Sequence, residues 1–225
     1  YICGGWSNSN ISGDKTENCL GSADYWIVKL DSGGNIQWQN TIGGSGDDRL
    51  YSISQTTDGG YICGGSSKSD STGDKTENMV GGIGADDYWI IKLDATGVIE
   101  WQNTIGGLFF DILKTIKQTT DGGYICAGNS DSYIGGDKTE SCRGSEDYWV
   151  VKIDSIGNIQ WQKTLGGSQI DDLSAITQTT DGGYICAGYS YSSNTSDKTE
   201  PNWDPTLQSP DYWIVKLDSA GSIQW

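Results

Sequence analysis

The chain contains no histidine. Imidazole-activated serine and cysteine nucleophiles are therefore excluded, and so are His-liganded metals. No Gly-Lys-Ser or Gly-Lys-Thr phosphate loop is present. Carboxylates remain, and two of them flanking a glycosidic bond can hydrolyse it. The candidates are Asp24, Asp87, Asp147 and Asp211, each directly before a Tyr-Trp pair. An active site is one asymmetric constellation, whereas these four recur in every repeat. That favours a structural duty, capping a strand or binding a loop amide. A carboxylate-dependent hydrolase is thus the least favoured reading, and no catalytic residue is assigned.

Oxygen ligands for calcium form a second candidate chemistry. Asp14 and Glu17, with Thr16 and Asp24, could contribute some of the six to eight oxygens this ion takes. The motif recurs as Asp-Lys-Thr-Glu at Asp14, Asp74, Asp137 and Asp197. Its spacing matches no EF-hand, and its lysine opposes a cation. Turn-forming hydrogen bonds with a Lys–Glu pair explain it as well. Calcium is the one cofactor candidate; no other is indicated. Six cysteines stand at positions 3, 19, 63, 126, 142 and 186. Cys3–Cys19 and Cys126–Cys142 share one spacing and are candidate disulfides, which would suit an oxidising compartment. The alternative is a small buried hydrophobe, since Cys63 and Cys186 occupy the same repeat position without a partner.

These residues are placed by a repeat. Tyr-Ile-Cys starts at Tyr1, Tyr61, Tyr124 and Tyr184, offsets of 60, 63 and 60 residues. Gln-Thr-Thr-Asp-Gly-Gly precedes three of the four. Asp-Tyr-Trp is followed each time by an apolar pair, Lys, an apolar residue and Asp, then by a strand ending in Trp38, Trp101, Trp161 or Trp225. One unit reads as four strands: A (50–55), the Asp58-Gly59 hairpin turn, B (61–65), C (88–93), a Gly97 turn, and D (98–105). Strand C is apolar on both faces apart from Lys92, as for a strand covered on two sides. The first unit lacks strand A, so fifteen strands are expected. The units span 1–49, 50–112, 113–172 and 173–225.

Four short antiparallel strands at a fixed period are the pattern of a β-propeller blade. One unit cannot cover both faces of its own sheet, so units must pack on neighbours. The expected architecture is all-β: a single propeller, or a segment of a larger ring, over residues 1–225. The string Asp-Gly-Gly-Tyr-Ile-Cys-Ala-Gly, a loop, then Asp-Tyr-Trp-Ile-Val-Lys-Leu-Asp-Ser-x-Gly-Asn-Ile-Gln-Trp-Gln-Lys-Thr-Leu-Gly-Gly resembles a known class. It is similar to the tandem propeller-like repeats of large secreted and surface proteins of Bacteroidetes-type bacteria. Those often carry a C-terminal sorting domain for type IX secretion. The resemblance covers essentially the whole chain and implies an extracellular or cell-surface location.

The formal net charge of −16 repels phosphate backbones and anionic membranes, so nucleic-acid partners are excluded. No apolar run reaches the roughly 20 residues of a membrane span, and no membrane insertion is expected. The chain opens inside one motif and closes inside another, and is read as a piece of a longer protein. Its A–B and C–D turns are short and nearly invariant. Variation falls in the B–C and D–A connections, which share the other rim of an up-down sheet. Non-repeated aromatics collect there: Trp6, Phe109, Phe110, Tyr133, Tyr189, Tyr191 and Trp203. Loops on a rigid scaffold are where binding resides. The expected function is a non-catalytic extracellular scaffold, adhesin or assembly module, with other protein chains or surface glycans as partners and self-assembly among its outcomes. The alternative is a propeller lectin whose aromatics stack on sugars.

Overall fold

Alternating β-branched and aromatic residues, punctuated by Asp-Gly turns, produce fourteen strands and no helix in the computed structural model, which describes residues 1–82 and 84–225. The first unit holds β1 (Ile2–Ser7), β2 (Asp24–Leu30) and β3 (Ile36–Ile42). The second holds β4 (Asp48–Gln55), β5 (Tyr61–Ser67), β6 (Asp87–Leu93) and β7 (Ile99–Ile105). The third holds β8 (Asp111–Gln118), β9 (Tyr124–Ser130), β10 (Asp147–Ile153) and β11 (Ile159–Leu165). The fourth holds β12 (Asp171–Gln178), β13 (Tyr184–Ser190) and β14 (Asp211–Leu217). Each unit is one antiparallel sheet with its strands in sequence order. The expected fifteenth strand is reduced to an isolated bridge from Leu217 to Ile223.

Turn chemistry sets the hairpins. In the A–B turn the Asp58 carboxylate accepts the Gly60 amide at 2.9 Å, and Gly59 sits at φ 88°, where a side chain would be strained. In the C–D turn Asp94 Oδ1 accepts the amides of Thr96 and Val98 at 2.8 and 2.9 Å. Every strand A carries a bulge after its leucine, between Leu50 and Ser52, Leu113 and Thr115, and Leu173 and Ala175.

The core lies between sheets, not within one. Tyr25 and Ile27 of the first unit pack on Leu50, Cys63, Trp89 and Ile91 of the second. Tyr88 and Ile90 then meet Leu113, Cys126, Trp149 and Val151. Tyr148 and Val150 meet Leu173, Cys186, Trp213 and Val215. The middle strands β6 and β10 are buried along their whole length, as the two-faced apolar pattern requires. Each junction is locked alike: the Tyr25, Tyr88 and Tyr148 hydroxyls donate to the carbonyls of Trp89, Trp149 and Trp213 at 3.0, 3.0 and 3.2 Å. Trp26, the equivalent tryptophan of the first unit, is only half-buried.

Candidate functional site

The recurrent carboxylates build the frame of one rim. Asp24, Asp87, Asp147 and Asp211 accept the amides of Leu20, Val80, Arg143 and Trp203 at 2.5, 2.7, 2.5 and 2.6 Å. Each thereby ties the end of a B–C connection to the start of its strand C. At the start of strand A, Asp48 accepts the Gly44 amide at 2.7 Å and the Ser69 hydroxyl at 2.8 Å. Asp111 and Asp171 repeat this with Gly107 and Ser132, and with Gly167 and Ser192. Burial raises the carboxyls of Asp87, Asp111 and Asp147 to about 6.

The Asp-Lys-Thr-Glu motif is consumed by the same frame. Asp74, Asp137 and Asp197 each clamp the D–A turn of the preceding unit, donating an amide to Gly43, Gly106 or Gly166 and accepting that glycine's amide. Glu17, Glu77 and Glu140 accept the strand-D amides of Thr41, Thr104 and Thr164. The lysines are buried, and Lys138 stands 4.6 Å from the centre of the Trp149 ring. Of the calcium candidates, Asp14 is exposed, Glu17 caps β3, and Asp24 is buried against the Leu20 amide. The three are not brought together, and among the described residues no group of three or more His, Cys, Asp or Glu is arranged to hold a metal.

The candidate disulfides are corrected by the structure, in which all six cysteines are free. Cys19 Sγ donates to the Ser7 carbonyl at 2.8 Å and Cys142 Sγ to the Ser130 carbonyl at 3.3 Å. Ser7 and Ser130 lie four residues beyond Cys3 and Cys126 along strand B. At roughly 3.3 Å per residue that is about 13 Å, twice the reach of a disulfide. Cys63 and Cys126 pack in the inter-sheet core, and burial pushes both thiols well up.

Above the frame runs a groove. Between the second and third units, Arg49, Ser66, Lys68, Asp86 and Ile112 line a cleft of about 120 Å³. A second, about 190 Å³, shares Ile112 and adds Phe110, Asn129, Asp131 and Glu146. A third, about 380 Å³, shares Glu146 and adds Gln169, Ile170, Asp172, Tyr189 and Tyr191, with Leu207. Ile112 borders the first two clefts and Glu146 the second and third, so the three adjoin along one rim. Lys68 pairs with Asp86 at 3.3 Å and lies 5.6 Å from the Phe110 ring centre. Burial raises the carboxyls of Asp86, Asp131 and Glu146. Leu207 is held at φ 56° by a turn on Asp204; a branched side chain there costs about 1–3 kcal/mol.

The aromatics picked from the sequence divide. Phe110, Tyr189 and Tyr191 line the groove. Trp6 stacks on Arg49, with the guanidinium 4.8 Å from its ring centre, and so flanks the first cleft. Phe109 and Tyr133 pair edge-on at 6.0 Å, exposed beside the groove. Trp203 stands apart, 91% exposed. Most of the polar lining (Arg49, Lys68, Asp86, Glu146 and Asp172) escaped the sequence reading. Its signal was present: within strands of invariant frame, the position after the strand-A Asp reads Arg49, Ile112 or Asp172, and the one after the strand-B Gly reads Trp6, Ser66, Asn129 or Tyr189.

No family model and no curated protein matches the chain. Among solved structures it is similar to a single-substitution mutant of the Synechocystis apocarotenoid oxygenase, at 13% identity and a TM-score of 0.43. The match covers 92% of this chain and 44% of that one, so the chain spans less than half that protein's length. A likeness at that score says nothing of activity.

Proposed function

We propose that the four sheets are blades of a β-propeller, and that the chain is a non-catalytic, extracellular scaffold or adhesion module of bacterial surface-repeat type. Its groove on the B–C and D–A rim binds partner chains. The observation that carries this reading is the contrast along that rim. Carboxylates and glycines of the frame repeat from unit to unit, while the groove residues differ at every equivalent position. A surface varied on a constant frame is the arrangement of a binding face. In each aspartate before a Tyr-Trp pair one carboxylate oxygen holds a loop amide, which supports a structural role over acid–base chemistry.

A lectin is the second reading, favoured by the third cleft. Tyr189 and Tyr191 stand beside Glu146, Gln169 and Asp172, an aromatic wall with acceptors suited to sugar hydroxyls. Its volume falls within the roughly 300–1,000 Å³ of small-ligand sites. Joint replacement of Phe110, Tyr189 and Tyr191 by Ser tests both readings. The variant is expected to keep its circular dichroism and unfolding midpoint, and to lose binding to bacterial cells and to immobilised glycans. Loss of binding on replacing Thr57 and Thr96 at the opposite rim, with the groove variant unaffected, would overturn the assignment.

A further inference from the structure

The third unit has a sheet packed on each face: Trp149 and Val151 meet the second unit, and Tyr148 and Val150 meet the fourth. The cleft on its rim, about 190 Å³, is built wholly from its own residues Phe110, Ile112, Asn129, Asp131 and Glu146. The second unit shows what an equivalent place can hold. There Lys68 stands where the third unit has Asp131, and Asp86 where it has Glu146. Lys68 Nζ reaches Asp86 at 3.3 Å, so this acid is answered from within the chain. The first unit has Asn8 and Ala23 at these positions, and the fourth Tyr191 and Pro210. Of the four units, the third alone sets two acids here.

Among the described residues no ion pair reaches Asp131 or Glu146. Lys114, whose charge Glu146 feels, lies against Tyr51 instead, 6.0 Å from its ring centre. Asp131 Oδ1 accepts the Phe110 amide at 2.7 Å. Glu146 also feels the like charges of Asp172 and Asp131. Carboxylates gathered without a cation oppose one another's ionisation, and a cation from outside relieves this. A second, independent observation comes from Asn129, which is 2% exposed. Its Oδ1 accepts the Leu173 amide of the fourth unit at 2.8 Å, which fixes Nδ2 as the other end of the amide. Nδ2 lies toward Glu146 and makes no hydrogen bond of good geometry. A buried donor left unpaired is costly, and it calls for an acceptor on whatever enters the cleft.

We propose that this cleft takes a lysine or arginine side chain of a partner polypeptide. The cationic head lies against Asp131 and Glu146, in charge-assisted hydrogen bonds. The methylene stem runs along Phe110 and Ile112, as such stems do on apolar surface. A backbone carbonyl beside the basic residue accepts from Asn129 Nδ2. A bare metal ion does not fit the set, because it brings no acceptor for that amide and wants six to eight oxygens. The net charge of −16 draws a basic partner toward the rim from a distance. The assignment rests on the reading of this rim as a face that binds partner chains, and adds the residue type that it selects.

The blocked peptide acetyl-Leu-Arg-Leu-amide, titrated into the intact chain, tests this by calorimetry and by the side-chain amide resonance of Asn129. Saturable one-to-one binding is expected, with that resonance shifted. The same peptide with citrulline for arginine keeps the shape without the charge, and is expected to bind at least about tenfold more weakly. Glu146→Gln is expected to keep the circular dichroism of the chain and to weaken the arginine peptide likewise. So is Asp131→Lys, which recreates the pairing of Lys68 with Asp86. Absence of binding, equal binding of the citrulline peptide, an unmoved Asn129 resonance, or undiminished binding by Glu146→Gln would overturn the proposal. Binding to bacterial cells separates it from the reading it rests on. If the Phe110, Tyr189 and Tyr191 variant loses the cells while Glu146→Gln holds them undiminished, the proposal alone falls. If both variants hold the cells and the arginine peptide is still preferred, the proposed function falls and the preference of the cleft for a basic side chain stands.

Discussion

At the scale of single residues, each junction between sheets rests on one tyrosine. The Tyr88 ring lies 4.9 Å from that of Trp149 and its hydroxyl reaches the Trp149 carbonyl. The hydroxyl is wholly buried, so removing it forfeits a hydrogen bond that no water can replace. Tyr88→Phe should destabilise by about 1 kcal/mol. Tyr212 holds the same repeat position in the fourth unit, yet its side chain meets no second sheet in this structure and is 94% exposed. Tyr212→Phe should therefore leave the urea midpoint unchanged. The paired measurement separates the junction contact from any intrinsic effect of losing a phenol.

At the scale of elements, the B–C connection is fastened to its neighbour by the motif that sequence reasoning left between calcium ligation and a turn. Asp137 exchanges hydrogen bonds with Gly106 across the junction, its amide donating at 2.8 Å and its carboxylate accepting at 3.2 Å. Asp137→Ala should cost about 1–2 kcal/mol, whereas Asp14→Ala, at an exposed side chain, should cost nothing measurable by thermal unfolding of this chain. The strands themselves were legible, because alternation and Asp-Gly turns are local signals. Strand C even announced its double burial. The partners of Asp137, of Glu77 and of the strand-A aspartates were not legible, since those of Asp137 lie across a junction, and those of Glu77 and the aspartates are met through loops whose path no local pattern encodes. The disulfide expectation failed for a related reason. Equal spacing of Cys3–Cys19 and Cys126–Cys142 fixes separation along the chain, but the loop returns beside Ser7 and Ser130, at the far end of strand B.

At the scale of the whole molecule, the junctions concentrate carboxylates in places that water does not reach. Asp87 and Asp111 are fully buried, as are Asp147 and Asp171, and an oxygen of each lacks a hydrogen-bond partner. Burial is the main cause that raises Asp87, Asp111 and Asp147 to about 6, and for Asp87 and Asp147 the charge of the facing aspartate adds to it. An unfolded chain would titrate these groups near 3.9. Between the two values the folded state holds more protons than the unfolded one, so stability falls as pH rises and is regained on acidification. The carboxylates with lowered values act elsewhere. Asp58, hydrogen-bonded by Thr56 and then by Lys92, titrates at about 2, so its contribution is intact above about pH 4 and is lost as the pH falls from there through about 2. The net charge of −16 pushes the same way as the buried groups, since partial protonation relieves repulsion across the compact array. The thermal midpoint should therefore rise between pH 7 and pH 5, opposite to the acid destabilisation of a protein held by exposed salt bridges. Asp111→Asn removes one raised carboxyl while keeping an acceptor for the Gly107 amide and the Ser132 hydroxyl. It should raise the midpoint at pH 7 more than at pH 5 and flatten the profile. A wild-type midpoint that falls between pH 7 and pH 5 would mean that these carboxylates are hydrated in solution, and that the sheets meet less closely at the rim than their packing implies.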